Sequence, residues 1–236
     1  MSVDPTPVVF VVDDDVSVRE SLDQLIRTSG WQAETYPTAE AFLARSPAPA
    51  PSCLILDLSL PDLNGLDLQK RIGADRKDMP IIFITGHGDI PISVRAMKAG
   101  AVEFLTKPFE DERLLGAIAG AIERSRAILG QEAELQVLRD RYATLSQRER
   151  EVMDLVVAGL LNKQIAGELR ISEITVKAHR GKVMRKMRVG SLAELVRIAG
   201  RLGPPTTARR SGSDRPPESG WAGEDLRPPS RLRPRS

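Results

Sequence analysis

The sequence predicts a doubly wound α/β domain of the (βα)5 type, followed by an all-α domain of four helices that includes a helix-turn-helix. In the first ~120 residues, five short predicted strands alternate with helical patterns, which is typical of a parallel sheet with helices on both faces. In residues 141–203, apolar residues recur at helical spacing, and capping-box sequences at 146–149 and 191–194 mark helix starts.

The elements of the first domain follow in order along the chain. Each predicted strand is a short run rich in apolar residues, and each predicted helix lies between two such runs. The strands are expected at 8–12, 31–36, 53–56, 81–84 and 102–106, and the helices at 16–29, 39–45, 65–72, 90–98 and from about residue 110.

Acidic and basic residues are unevenly distributed along the 236-residue chain. Residues 1–125 hold 12 Lys and Arg against 19 Asp and Glu, a net charge of −7. Residues 126–203 hold 15 against 9, a net charge of +6, and residues 204–236 hold 7 against 4. The basic second half predicts a polyanionic partner for that part of the chain.

The use of cysteine and the hydropathy pattern indicate a compartment. Cys53 is the single cysteine and cannot form an internal disulfide, which fits a reducing environment. The sequence shows no signal-peptide pattern, and no apolar run approaches the ~18 residues that a membrane span needs. We therefore expect a cytoplasmic protein with no membrane partner.

Polar side chains follow four of the predicted strands at the point where each strand ends. Because parallel strands end at one edge of a sheet, where ligands of such folds bind, these side chains are expected to meet. Asp15 can cap the next helix, and a solvated acidic turn is the alternative interpretation of residues 13–15. The set expected to meet comprises Asp13, Asp14, Asp57, Thr85 and Lys107.

This set supports the transfer of a phosphoryl group to a carboxylate. Asp57 can attack as the nucleophile. Asp13 and Asp14 supply the oxygen ligands that Mg²⁺ prefers. The metal and the Lys107 ammonium would neutralise the charge of the moving phosphoryl group.

Four motifs in residues 6–125 resemble those of two-component receiver domains. They are Val-Asp-Asp-Asp at 12–15, the Leu-Asp…Leu-Pro-Asp…Gly block at 56–65, Ile-Thr-Gly-His-Gly-Asp at 84–89 and Lys-Pro-Phe at 107–109. The resemblance implies that Asp57 accepts a phosphoryl group from the phosphohistidine of a sensor histidine kinase. The implied Mg²⁺ ligands are Asp13, Asp14, Asp57 and the backbone carbonyl of Ser59.

The same resemblance assigns further roles on this edge. Thr85 would bond the phosphoryl oxygens, and Lys107 would precede a cis peptide to Pro108. Phe104 occupies the position of the family's switch aromatic residue, with simple core packing as the alternative. His87 lies in the loop after the fourth strand, where a role as a metal ligand is disfavoured.

The segment that connects the two domains is predicted to be helical. Two apolar stripes, one at 115–122 and one at 135–145, do not share a heptad register, and Gly130 lies between them. Either one long helix or two helices with a bend near Gly130 satisfies this pattern. The second stripe is a candidate for self-association.

Residues 162–188 combine a helix-turn-helix pattern with strong positive charge. A short helix at 162–169, a tight turn and a longer helix at 173–187 are predicted there. The region holds eight Lys and Arg against two acids. A basic run alone usually marks a solvated face, but together with this pattern it favours nucleic-acid binding.

Three motifs over residues 141–203 resemble the LuxR-type DNA-binding domain, so the whole chain resembles a response regulator of the NarL/FixJ type. The motifs start at 145, 162 and 171. The resemblance implies base-edge positions at Lys177, Ala178 and Gly181. It implies phosphate contacts, which set register rather than sequence, at Lys163, Thr175, His179 and Lys182. Arg180 is included among the DNA-binding residues. Gly181 lies inside the predicted helix, where glycine is less favourable than alanine by ~1 kcal/mol.

The function expected from these motifs is phosphorylation-dependent regulation of transcription, most simply activation. Phosphorylation of Asp57 is expected to favour a homodimer through residues 90–105 and binding of double-stranded promoter DNA, with RNA polymerase as a further partner. We divide the chain into a receiver at 1–125, a helical linker at 126–140, a DNA-binding domain at 141–203 and a disordered Pro/Arg-rich tail at 204–236.

Two other classes of protein remain open at this point. A Mg²⁺-dependent phosphatase of the haloacid-dehalogenase type would need a second acid two residues after its nucleophile, where this chain has Ser59. A scaffold that binds partner proteins and never contacts DNA is the second alternative. The prediction is that the chain is no enzyme beyond catalysing its own phosphorylation and dephosphorylation.

Overall fold

The computed structural model describes residues 5–46, 50–86 and 90–203. His87 and the predicted tail at 204–236 lie outside this part of the chain. The protein divides into two compact units, with the division between Arg141 and Tyr142. No helix in the described residues is both long enough and apolar enough to cross a membrane.

The first unit is built on a parallel sheet of five strands. The strand order β2-β1-β3-β4-β5, in which every neighbouring pair is parallel, is that of a doubly wound sheet and confirms the predicted fold class. The strands are β1 Val8–Val12, β2 Gln32–Tyr36, β3 Ser52–Asp57, β4 Ile81–Thr85 and β5 Glu103–Thr106. The helices between them are α1 Val16–Thr28, α2 Ala39–Leu43, α3 Gly65–Asp75 and α4 Ile90–Lys98.

Side chains alternate between the two faces of the sheet and form two cores. Phe10 and Leu54 point to the face that packs against Phe42 of α2 and Leu68 of α3. The neighbouring strand residues, such as Ile55, belong to the core on the opposite face. That second core includes Leu22 and Ile26 of α1 and Leu114 and Ile118 of the helix that follows β5.

The helix after β5 is α5, Asp111–Ala143, and it is a single helix of 33 residues. The one-helix alternative of the sequence prediction is therefore the observed one. Gly130 lies inside this helix without ending it. The linker predicted at 126–140 is thus part of the same helix as the segment that packs on the sheet.

The second unit consists of short helices, whose predicted existence and order are confirmed. They are α6 Gln147–Val157, α7 Asn162–Leu169, α8 Glu173–Met187 and α9 Leu192–Leu202. A full capping box joins Ser146 and Glu149 at the start of α6. The turn between α7 and α8 places Arg170 in the left-handed region with φ 54°, and Ser172 then caps α8 through the Thr175 N–H.

Candidate functional site

The ends of four strands bring the predicted site residues to one edge of the sheet. Asp13 directly follows β1, Asp57 is the last residue of β3, and Thr85 is the last residue of β4. Lys107 directly follows β5. The parallel pairing of β1 with β3, β3 with β4 and β4 with β5 is what makes these four strand ends neighbours.

Three carboxylates meet closely enough to share a metal ion. One oxygen from each of Asp13, Asp14 and Asp57 lies within 4.8 Å of the others. Asp13 and Asp57 are buried and Asp14 is exposed, so the cluster opens to solvent on one side. Hard oxygen donors with an open side suit Mg²⁺, which binds few carboxylates and keeps several waters. Asp15 is not one of the three residues of this cluster, and its side chain accepts from the Ser17 N–H and caps α1.

Lys107 occupies the space between the two buried carboxylates. Its Nζ lies 2.7 Å from Asp13 Oδ2 and 2.9 Å from Asp57 Oδ2. The peptide bond from Lys107 to Pro108 is cis, as the resemblance implied. Burial raises the pKa of Asp13, and this effect outweighs the hydrogen bond from Lys107. Burial also depresses the pKa of Lys107, but the hydrogen bonds to Asp13 and Asp57 raise it overall.

The loop after β3 shapes the surroundings of Asp57. The Ser59 N–H donates to Asp57 Oδ1 at 3.0 Å, which orients this carboxylate. Gly65 approaches the loop so closely that a Cβ there would lie 2.7 Å from the Asp57 backbone oxygen. A glycine is therefore required at this position by space rather than by its φ angle. The role of the Ser59 carbonyl as a metal ligand stays a prediction.

Thr85 and Phe104 differ in their surroundings. Thr85 is fully buried and pairs in register with Thr106. Phe104 is half-buried, and its ring centroid lies 6.3 Å from that of Phe83. The contact with Phe83 supports the alternative that Phe104 serves core packing. The role of Phe104 as a switch residue stays a prediction. His87 lies outside the described residues.

In the second unit, α8 has one buried and one free face. Val176, Val183 and Met187 are buried against the rest of the unit. Four of the predicted DNA-binding residues are exposed on α8, and Lys163 is exposed on α7. The exposed residues on α8 are Lys177, Ala178, Gly181 and Lys182.

Three other residues of the predicted DNA-binding set are engaged within the unit. Arg180 is half-buried, and its Nη1 donates to Asn162 Oδ1 at 2.6 Å, which ties α8 to α7. Thr175 belongs to the cap of α8, where its hydroxyl lies 2.8 Å from that of Ser172. His179 is half-buried, with a shielded Nδ1. Contacts of these three side chains with DNA stay predictions.

Comparison with known proteins identifies both units. The family model described as the response regulator receiver domain matches residues 9–119, and the one described as bacterial regulatory proteins, luxR family, matches residues 143–199. Nodulation protein W of Bradyrhizobium diazoefficiens is 50% identical over 196 residues, which cover 83% of this chain and 86% of that protein. The chain belongs to the NarL/FixJ family of response regulators.

Further relatives agree in domain content. The transcriptional regulatory protein FixJ of Bradyrhizobium diazoefficiens is 45% identical over 195 residues, which cover 83% of this chain and 95% of that protein. The solved structure of response regulator StyR is similar with a TM-score of 0.73 and 46% identity, covering 83% of this chain and 99% of that one. This response regulator is therefore a DNA-binding regulator of transcription rather than a classical enzyme.

Two buried polar residues of this response regulator were not singled out for these roles from the sequence. Ser125 on α5 accepts from the Ser52 N–H at 2.9 Å and donates to the Asp78 carbonyl, so it fixes α5 to the start of β3. Glu149 accepts from Lys186 Nζ at 2.6 Å in addition to its capping bond. A polar residue three positions after Ile122, where the next apolar residue of the stripe would fall, is the signal that marks Ser125, whereas no local signal marks the pairing of Glu149 with Lys186.

Lys186 lowers the number of α8 cations that are available to a ligand. Its ammonium group also donates to the Thr144 carbonyl at 2.9 Å. The hydrogen bonds from Lys186 and from the Ser146 N–H hold the pKa of Glu149 below its usual range. Positive charge counted from the sequence of α8 therefore overstates the charge that this response regulator offers to DNA.

Proposed function

We propose that Asp57 is the phosphoacceptor of this response regulator and that a sensor histidine kinase supplies the phosphoryl group. The observation that supports this is the position of the Asp57 carboxylate, which lies beside Asp13, Asp14 and the Lys107 ammonium at the carboxyl edge of the sheet. A nucleophilic carboxylate, a cluster of oxygen ligands and a fixed cation are the parts that phosphoryl transfer needs.

The chemistry follows from these positions. A carboxylate oxygen of Asp57 attacks phosphorus, a new O–P bond forms, and the N–P bond to the donor imidazole breaks. Mg²⁺ bound by Asp13, Asp14, Asp57 and the Ser59 carbonyl would neutralise charge on the phosphoryl oxygens. Lys107 shifts from pairing two carboxylates to pairing a carboxylate and the phosphoryl group. Thr85 donates its hydroxyl to a phosphoryl oxygen, and Phe104 responds to that movement.

These groups catalyse phosphorylation of the chain itself and the later hydrolysis of the acyl phosphate. We propose no other catalytic activity. The same carboxylates that position an incoming phosphoryl group can position an attacking water, so phosphorylation and hydrolysis use a single site.

A groove beside Lys107 is suited to the phosphoryl donor. It has a volume of about 430 Å³ and lies between α1 and the loop after β5. Val18, Leu22, Leu25 and Phe109 supply apolar walls, and Lys107 lies on its lining. An apolar groove of this kind accepts an apolar helix face, so we propose that a helix of the kinase docks here and presents its phosphohistidine to Asp57.

Phosphorylation acts through dimer formation on the face of α4 and β5. Three apolar side chains of α4 are free on this face: Ile90 is 76% exposed, Met97 45% and Val94 44%. Adjacent free apolar side chains on a helix are characteristic of an interface. A homodimer through residues 90–105 would cover them and pair two DNA-binding units, as helix-turn-helix proteins require for paired half-sites.

In the second unit, α8 reads double-stranded promoter DNA. Lys177, Ala178 and Gly181 face base edges, and Lys163 and Lys182 hold phosphates. Thr175, His179 and Arg180 complete the predicted set of contacts. Bound at a promoter, the dimer contacts RNA polymerase and activates transcription. Since promoter DNA of a bacterium lies in the cytoplasm, we place the protein there.

We assign the functions of this response regulator to the segments predicted from the sequence. The receiver comprises residues 1–125, the linker 126–140 and the DNA-binding domain 141–203. Residues 204–236, with seven arginines against four acids, add non-specific attraction to DNA.

The experiment that tests this proposal compares the wild type with Asp57→Asn. Wild type incubated with labelled acetyl phosphate and Mg²⁺ is expected to gain one phosphoryl group per chain, and Asp57→Asn none. Asp67→Asn is the matched control, because Asp67 lies on the surface of α3, where it forms an exposed ion pair with Lys70. Genomic footprinting of the same three proteins should show occupied promoters for wild type and Asp67→Asn only. Equal occupancy and equal transcription by Asp57→Asn would contradict the proposal.

A further inference from the structure

The free face of α8 carries a strip without polar side chains. Ile174 is 80% exposed, more than any other large apolar side chain in the described residues. Ala178 and Gly181 follow at spacings of four and three residues, and both are exposed. A helix has about 3.6 residues per turn, so these three residues share one face. We name Ile174, Ala178 and Gly181 the apolar strip.

The apolar strip lies directly opposite the buried side of α8. Val176, Val183 and Met187 fall on the other side of the same helix and anchor it. Lys177 lies on one side of the strip and Lys182 on the other, and both are exposed. The centre of the free face is therefore apolar from Ile174 to Gly181, its borders are cationic, and the exposed Arg185 continues the same line one turn further along α8.

An apolar side chain has one specific target among the base edges of the major groove. It cannot form the hydrogen bonds that identify guanine, adenine or cytosine, but it can pack on the C5-methyl group of thymine. Ile174 is the second residue of α8. In helix-turn-helix proteins, residues at the start of the second helix reach the base edges. The cap formed by Ser172 holds this first turn in place.

We propose that Ile174, supported by Ala178, recognises thymine through its C5-methyl group. Gly181 completes the strip by carrying no side chain, which lets the helix approach the floor of the groove. A Cβ at Gly181 would meet no atom of another element within 4 Å among the described residues, so packing within the unit does not require glycine there. This proposal rests on the assignment of α8 as the DNA-reading helix.

A protein partner is the other class of ligand for an exposed isoleucine. The surroundings favour DNA, because Lys177 and Lys182 border the strip and the positive end of the α8 dipole lies beside Ile174. Leu161 is a matched control because it is a similarly exposed apolar residue, 70% exposed, but lies at the start of α7 and not in the apolar strip of α8.

The test uses the full chain, phosphorylated with acetyl phosphate and Mg²⁺, and a pool of random DNA duplexes. The duplex that wild type enriches is resynthesised with each thymine in turn replaced by deoxyuridine, which removes only the methyl group. Dissociation constants are then measured for wild type, Ile174→Ala, Ile174→Val and Leu161→Ala. Circular dichroism melting of each variant verifies that it is folded.

The proposal predicts how the dissociation constants for the thymine and deoxyuridine duplexes compare in each protein. Deoxyuridine at one or two positions of each half-site weakens wild-type binding about 3- to 5-fold, the effect of one buried methyl group. Ile174→Ala binds the thymine and deoxyuridine duplexes equally, Ile174→Val keeps part of the preference, and Leu161→Ala keeps all of it.

Several results would overturn the proposal. Equal wild-type affinity for thymine and deoxyuridine at every position would refute methyl recognition while leaving DNA binding itself intact. An unchanged thymine preference in Ile174→Ala would assign the methyl contact to another side chain. Reduced transcription by Ile174→Ala with that preference intact would point to a protein partner. Failure of wild type to enrich any duplex would contradict the assignment of α8 as the DNA-reading helix, and therefore this proposal as well.

Discussion

The Lys107 Nζ lies 2.9 Å from Oδ2 of Asp57, although 50 residues separate them in the sequence. The same ammonium group lies 2.7 Å from Asp13 Oδ2. A single cation thus holds two buried carboxylates together, and its loss would leave like charges facing each other. Stability and phosphoryl transfer therefore depend on the same side chain.

Replacing this cation tests the relationship directly. Lys107→Met is expected to lower the free energy of unfolding by about 2 kcal/mol in the presence of a chelator, because two close carboxylates are left without their counter-charge. Saturating Mg²⁺ should restore more stability to the variant than to wild type, since the metal then supplies the missing positive charge. Urea unfolding followed by circular dichroism measures both effects.

Lys70→Met is the control for that experiment. Lys70 pairs with Asp67 at 2.8 Å, but both side chains are more than half exposed. Loss of such a surface pair changes stability by less than ~0.5 kcal/mol, with or without Mg²⁺. An Lys107→Met variant that is as stable as Lys70→Met under chelation would refute the role given to Lys107.

Gly65→Ala is expected to damage the phosphoacceptor loop. The new Cβ would lie 2.7 Å from the Asp57 backbone oxygen and 3.1 Å from the Leu58 Cα, and neither backbone atom can move freely. We expect a loss of about 1–3 kcal/mol in stability from overpacking, and a reduced rate of phosphorylation by acetyl phosphate. Gly73→Ala in the same helix meets no atom within 4 Å and should leave the rate unchanged. Equal rates in the two variants would contradict the steric explanation.

The ion pair between the buried Glu149 and the partly exposed Lys186 is expected to make stability depend on acid pH. The pKa of Glu149 is lower in the folded chain than in the unfolded chain, mainly because of the hydrogen bond from Lys186. The ionised group therefore contributes stability above the ordinary value of about pH 4.3, and this contribution is lost as the pH falls through the lowered pKa.

Glu149→Gln removes this contribution. We expect it to lower stability by about 2 kcal/mol at pH 7 and to flatten the decline of stability on acidification. Glu151→Gln, which removes a partly exposed pair with Arg148, should change stability little at either pH. Urea unfolding of the three proteins at neutral and acid pH decides the matter, and parallel pH curves for wild type and Glu149→Gln would be incompatible with it.

Gly181→Ala is expected to stabilise α8. Alanine is the better helix former by ~1 kcal/mol, and the site has room for a Cβ. Gly159→Ala provides the contrast, because Gly159 has a φ of +89° and alanine there is strained by about 1 kcal/mol or more. Thermal unfolding should move in opposite directions for the two variants. A drop in stability for Gly181→Ala would show that α8 requires glycine for packing.

Local patterns were sufficient to predict most elements of this protein. The runs 8–12 and 81–84 are apolar without a polar face, and Gly100 and Gly159 mark helix ends because both adopt positive φ. The observed ends of strands differ from the predicted ends where backbone pairing, rather than residue type, sets the end of the strand. Val102, for example, was expected in β5, which begins at Glu103.

The convergence of Asp13, Asp57 and Lys107 was also predictable, because parallel strands place their ends at a common edge. Their contacts were not. Which oxygen each lysine hydrogen bond reaches, and how deeply each carboxylate is buried, depend on the packing of loops from distant parts of the chain. The sequence likewise does not decide the continuity of α5 through Gly130, since a single glycine permits either a bend or a straight helix.

The amino-acid sequence by itself determined the order of elements, the edge of the sheet that holds the carboxylates and the basic helix-turn-helix segment at 162–188. It could do so because hydrophobic periodicity and turn residues act between near neighbours in the chain. Only the tertiary structure decided which charges are free. Lys177 and Lys182 face solvent, while Lys186 is paired with Glu149 and Arg180 with Asn162. The reason is physical: an ion pair or a side-chain hydrogen bond between residues far apart in sequence forms only after packing has brought them together.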